Sequence, residues 1–104
     1  MPQFDLIANN DGVTEAQNAE WFTTDIIPVH SGLMRIEISV SVAVVIEITF
    51  DSGTNFSALN SNVALTADSL YIFDVFCRTG DLLNFRIPTA GGAITDVART
   101  YQEG

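Results

Sequence analysis

The chain contains one histidine, His30, and one cysteine, Cys77. Those two side chains limit the chemistry it can carry out. A lone histidine cannot supply a multi-histidine metal site. A Ser-His-Asp arrangement would have to be assembled from distant parts of the chain. His30 stands directly before Ser31-Gly32, where it reads as a turn residue rather than a general base. Cys77 has the same parity as Tyr71, Phe73 and Val75, so on a strand it faces the core with them. The adjacent cation, Arg78, then points to the opposite face and does not activate the thiol. One cysteine also leaves no intrachain disulfide.

Two further groups of residues have the composition of sites. Asp51-Ser52-Gly53-Thr54-Asn55 is rich in oxygen ligands of the kind that hold Ca²⁺. It lacks the spacing and the distal glutamate of an EF-hand loop, and the same residue types are favoured in turns for backbone reasons, so a turn is expected. Asn55-Phe56-Ser57 fits the glycosylation pattern, but Phe56 falls on a core-facing position and the pattern is set aside. Trp21, Phe22, Tyr71 and Tyr101 would make a sugar-binding platform if several were exposed on one face; in a small sandwich, aromatics are core first. No glycine-rich phosphate cradle follows a strand and opens a helix. The expectation is a chain with no catalytic residues, no cofactor and no metal, that is, not an enzyme.

Composition narrows the partners. The formal charge is −9, with four arginines and no lysine. Nucleic acid and anionic membrane both require clustered cations, so neither is expected. The charge suits solubility, high salt or a basic partner. At 104 residues and 47% hydrophobic, residues 1–104 are expected to form a single folded domain that needs no metal or disulfide. The start has no charged segment followed by an apolar one, so synthesis in a cytoplasm is expected. No run is apolar enough to cross a bilayer as a helix.

The elements that would position these residues are strands. Every even-numbered residue from Met34 to Phe50 is apolar, while the residues between are mostly polar. A period of two marks a strand with one buried face. A straight strand of that length would span roughly 56 Å, far beyond the usual strand, so the run must break near Ser39 to Val44. A hairpin centred on Ala43 would set Arg35 opposite Asp51 and Ile38 opposite Ile48. The stretch has no Gly, Asn, Asp or Pro to form a tight turn, so a corner between two sheets stands beside the hairpin.

Around this run, residues 3–8 read as a first strand and Trp21 to Val29 as a second, with Pro28 at its edge or end. Thr14 to Glu20 reads as about two helical turns capped by Thr14. A loop over 52–54 pairs Phe50 with Phe56 and Ile48 with Ala58. A loop over Thr79-Gly80-Asp81 pairs Cys77 with Leu83, Val75 with Phe85 and Phe73 with Ile87, setting Asp74 against Arg86. Asn60 to Ala67 is a loop with Leu65 as an apolar plug. Ala90-Gly91-Gly92 turns into a last strand over 94–101. The sum is an all-β chain, a single antiparallel β-sandwich or jelly roll of seven to eight short strands.

Two stretches carry a family resemblance. Pro28-Val29-His30-Ser31-Gly32-Leu33-Met34-Arg35-Ile36-Glu37-Ile38-Ser39 resembles the strand start of small jelly-roll and sandwich modules. Leu65-Thr66-Ala67, Leu70-Tyr71-Ile72-Phe73 and Thr79-Gly80-Asp81-Leu82-Leu83-Asn84-Phe85 resemble their second half. The pair, over residues 28–87, is similar to small structural proteins of tailed bacteriophages and related viruses, including capsid decoration proteins. A vaguer version occurs in C1q- and TNF-like trimeric jelly rolls. The resemblance implies a virion structural protein that binds and stabilises the capsid shell as a homotrimer, with the major capsid protein or another virion component as partner. Phe4, Leu6, Trp21 and Phe22 are then candidates for subunit or capsid contacts, beside the alternative that the same residues are core. The alternative is a carbohydrate-binding or receptor-binding adhesion module, as at a tail-fibre tip.

Overall fold

The structure, a computed structural model, describes residues 4–88 and 93–103. Eight strands run in chain order: β1 (Phe4–Asn9), β2 (Val13–Glu15), β3 (Gly32–Val40), β4 (Glu47–Thr49), β5 (Ser57–Ala58), β6 (Tyr71–Cys77), β7 (Asn84–Arg86) and β8 (Ala93–Glu103). They form two antiparallel sheets, one ordered β1-β8-β3-β6 with β2 also on β8, the other ordered β5-β4-β7. The expected all-β sandwich is thus the observed fold. Most connections cross from one sheet to the other, as in a jelly roll. The turn expected at Ala90-Gly91-Gly92 lies outside the described residues.

The alternating run builds the core. Met34, Ile36, Ile38 and Val40 face inward from β3, and Val44, Ile46 and Ile48 face inward from the opposite side. Between them the chain turns a corner and does not form a hairpin: β3 pairs with β6 and β8, whereas β4 pairs with β5 and β7. A register shift on β8 between Ser39 and Val40 marks the bend. Ser41 anchors it, donating its N–H to the Ile94 carbonyl at 2.9 Å and accepting the Ile94 N–H on its hydroxyl at 2.9 Å. Val42 is the one even residue turned outward there.

Four expectations need correction. The helix over Thr14 to Glu20 is absent: Val13–Glu15 is strand β2, paired with β8, and Gln17 bridges to Ile87. Two helical turns carry little stability of their own, and the edge of β8 offers backbone partners instead. Trp21 to Val29 is not a strand; within it only Ile26 forms a bridge, to Leu83. The buried Asn84 amide replaces a ladder, accepting the Phe22 N–H at 3.0 Å and donating to the Phe22 carbonyl at 2.9 Å.

The third correction is a register. β4 and β5 pair Glu47 with Ala58 and Ile48 with Ser57, one residue away from the expected match. The turn is wider than three residues because side chains wire it. The Asp51 carboxylate accepts from the Asn55 N–H at 2.8 Å and the Asn55 side chain at 2.7 Å, and the Thr49 hydroxyl accepts the Gly53 N–H at 2.9 Å. Gly53 sits at φ +90°, which a side chain would strain. The fourth concerns 79–81. That turn joins two sheets: β6 lies on β3, and β7 on β4. Leu82 exchanges backbone hydrogen bonds with Phe50 and Ser52 at 3.0 and 3.1 Å, drawing the chain to the small sheet. Asp74 therefore faces Arg35 and Arg86 faces Glu47, instead of each other.

Leu65 is the expected plug, fully buried and bridged to Val44, while Val63 nearby is 60% exposed. Leu65→Ala is therefore expected to cost about 2–5 kcal/mol by chemical denaturation despite its place in a loop. Val63→Ala should stay within about 0.5 kcal/mol of the parent.

Candidate functional site

The large sheet has an inner face on the core and an outer face open to solvent. Register places Phe4 and Leu6 of β1, Arg99 and Tyr101 of β8, Leu33, Arg35 and Glu37 of β3, and Ile72, Asp74 and Phe76 of β6 on the outer face. One row across it runs Leu6, Tyr101, Arg35, Asp74. Arg35 holds Asp74 through two hydrogen bonds of 3.0 and 3.3 Å, and its guanidinium lies 4.5 Å from the centre of the Phe4 ring. The Asp74 hydrogen bonds raise the Arg35 pKa, so the cation stays charged. The face is apolar at both margins: Leu6 is 51% exposed on β1, and Ile72 and Phe76 are 55% and 64% exposed on β6.

The structure separates the four candidate interface residues. Phe4 and Leu6 lie together on the outer face of β1. Trp21 is in the core, 5% exposed, its ring 5.3 Å from that of Phe85. Phe22 is half-buried and borders a cavity of about 380 Å³ between β1 and residues 22–27, lined also by Ile7, Asp25, Ile26 and Ile27. The aromatics of the sugar platform are not on one face either. Tyr71 packs inward opposite Ile38, whereas Tyr101 points outward opposite Arg35. Ile72 and Phe76 were not among the candidates. Their signal was present in Tyr-Ile-Phe-Asp-Val-Phe-Cys, which is apolar at both parities and so has an apolar outer face whichever way it is turned.

The chemistry-bearing residues take structural places. Cys77 is fully buried and burial raises its thiol pKa; Gln102 donates to its sulfur at 3.4 Å. Gln102 also accepts the Val29 N–H at 2.6 Å and donates to the His30 carbonyl, tying the approach to β3 onto β8. The His30 ring Nδ1 lies 3.0 Å from the Ser31 carbonyl oxygen. Among the described residues no group of three His, Cys, Asp or Glu is arranged to hold a metal ion, and no helix is long and apolar enough to cross a membrane. Comparison with family models, curated proteins and solved structures finds no match to this chain.

Several carboxyls are shifted from their ordinary pKa, and Asp51 and Glu15 move in opposite directions. The Asn55 backbone N–H, then the Asn55 and Thr49 side chains, hold Asp51 down at about 2 from its ordinary 3.8. The folded state therefore binds this proton less readily than the unfolded chain, and the resulting stability is present above 3.8 and lost as pH falls toward 2. Asp51→Ala is expected to lower Tm at neutral pH, with the gap to the parent closing over that acidic window in a pH series of melts. Glu15 is 5% exposed, and burial raises its pKa against the opposing hydrogen bond from Asn10. Its neutral form fits the fold, so stability is lost as pH rises from the ordinary 4.5 through the raised value. Glu15→Gln should raise Tm at neutral pH and leave it unchanged at about pH 3, well below the range in which the carboxyl ionises.

Proposed function

We propose that the chain is a non-enzymatic virion structural protein, a capsid decoration protein made in the host cytoplasm, which docks on the shell through the β1 side of the large sheet. The observation that carries this reading is the strip formed by the exposed Leu6 and the half-buried Phe4 and Tyr101 on the outer sheet face. Strand residues of this kind present a fixed shape, and binding them costs little ordering entropy. Aromatic side chains flanked by charge are the usual anchors of a protein interface. The resemblance of residues 28–87 to virion modules supplies the shell as partner. The carbohydrate alternative is less favoured because Trp21, Tyr71 and Tyr101 lie in the core, on the inner face and on the outer face respectively.

Purified protein is expected to co-sediment with undecorated capsids of its own virus and to raise their resistance to heat. Leu6→Asp places a charge on the strip without touching the core and should weaken binding at least about tenfold, a loss of about 1.4 kcal/mol. Failure to co-sediment, or unchanged binding by Leu6→Asp, counts against the proposal.

A further inference from the structure

The cavity of about 380 Å³ between β1 and residues 22–27 exists because its two walls are held by different sheets. β1 is bonded to β8 of the large sheet. On the other wall, Ile26 exchanges backbone hydrogen bonds of 2.7 and 2.9 Å with Leu83, and Phe22 is held by Asn84 at the start of β7. Among the described residues no backbone hydrogen bond joins β1 to 22–27. A bulge makes the β1 wall apolar. The register shift between Leu6 and Ala8 leaves Ile7 as the extra residue, and Ile7 and Ala8 both line the groove. Phe22, Ile26 and Ile27 form the other wall. Ile7, Ala8 and Phe22 are only half-buried, and Ile27 is 62% exposed.

Among the described residues Asp25 is the one ionisable group in the lining. Hydrogen bonds from Ser52 and Asn84 hold its pKa below the ordinary 3.8, so it is charged at neutral pH. Glu20 stands beside it, its own pKa raised by burial and then by the Asp25 charge. The ion pairs among the described residues join Arg35 to Asp74, Arg86 to Glu47 and Arg99 to Asp11, and none includes Asp25 or Glu20. The chain carries −9 and no lysine. An apolar groove with an unneutralised carboxylate is matched by a basic side chain, whose methylene stem covers the wall while its head meets the charge. We propose that this groove receives a lysine or arginine side chain of the protein on which the chain docks, with its methylenes against Ile7, Phe22 and Ile27 and its cation at Asp25. The identity of that partner rests on the proposed docking to the shell; the chemistry of the groove does not. Leu6 belongs to the outer strip and the next residue, Ile7, to the groove, so a partner that covers the strip reaches the groove across a single strand.

The first test uses the purified full chain with no shell present. Butylammonium and butylguanidinium carry the two basic head groups on a bare stem. At about 50 mM, the range expected of so small a ligand, each should shift the NMR signals of Ile7, Phe22, Ile26 and Ile27. Butanol at the same concentration should shift them far less. Asp25→Asn keeps a partner for both Ser52 and Asn84, so it should leave Tm unchanged and reduce the shifts to the level seen with butanol. Ile27→Lys, at an exposed position, sets a cation of the chain's own at the groove and should reduce them likewise. Butanol shifts equal to those of the cations, or cation shifts away from the groove, overturn the proposal. The second test is co-sedimentation with undecorated shells, in which both variants should bind about fivefold more weakly than the parent. Equal binding by the parent and Asp25→Asn overturns the groove proposal and leaves the docking intact. If the parent does not bind shells, the docking fails, and the shifts with the two cations still decide whether the groove takes a basic group.

Discussion

The fold depends on one constraint: the even-numbered side chains from Met34 to Ile48, except Val42 at the corner itself, must stay inside while the backbone changes sheet. A strand cannot bend sharply and keep its ladder, so the ladder is given up between Val40 and Glu47. Side-chain and loop contacts take its place. Ser41 pins the near side of the corner to Ile94, and Leu65 donates its N–H to the Val44 carbonyl at 2.8 Å on the far side. Burial of one parity on both sides of the corner makes the two sheets a single core, with β3 lining one wall and β4 the other.

Where the chain has no ladder, buried amides supply the missing partners. Asn84 binds both backbone polar groups of Phe22 and also donates to Asp25 at 2.8 Å. Gln102 does the same for Val29 and His30. Both amides are essentially inaccessible to solvent. A buried amide without partners would be costly, so these contacts specify where the irregular segment 21–31 lies, beyond any stability they add. The same segment carries Trp21 into the core and leaves Phe22 at the rim of the cavity, which is why neighbouring aromatics have different surroundings.

The outer face follows from what the core leaves over. Once the even residues of β3 are inside, Arg35 and Glu37 are outside, and register carries Asp74, Tyr101 and Leu6 to the same face. The apolar margins at β1 and β6 are then separated by a charged middle. That arrangement offers two distinct contact strips on one sheet, at opposite edges of it.

Periodicity and turn chemistry determined the all-β class, the buried parity of residues 34–50, the inward Cys77, the plug at Leu65 and the turn at 51–55, because each is a local property of side-chain alternation or of residues that stabilise a turn. The sequence also displayed the exposed side of β6, in a strand apolar at both parities. Tertiary structure alone decided which strands are neighbours. A strand-turn-strand pattern reads alike for a hairpin and for a crossing between sheets, and parity is preserved in both, so Asp74 and Arg86 look like partners until β6 and β7 are seen in different sheets. The same holds for Trp21 and Phe22: the Trp21 N–H is bonded to the Phe85 carbonyl, and Phe22 is held by a buried Asn84 that lies 62 residues further along the chain. Pairing over such distances is a global choice among many nearly equivalent local ones, and only the shared core selects among them.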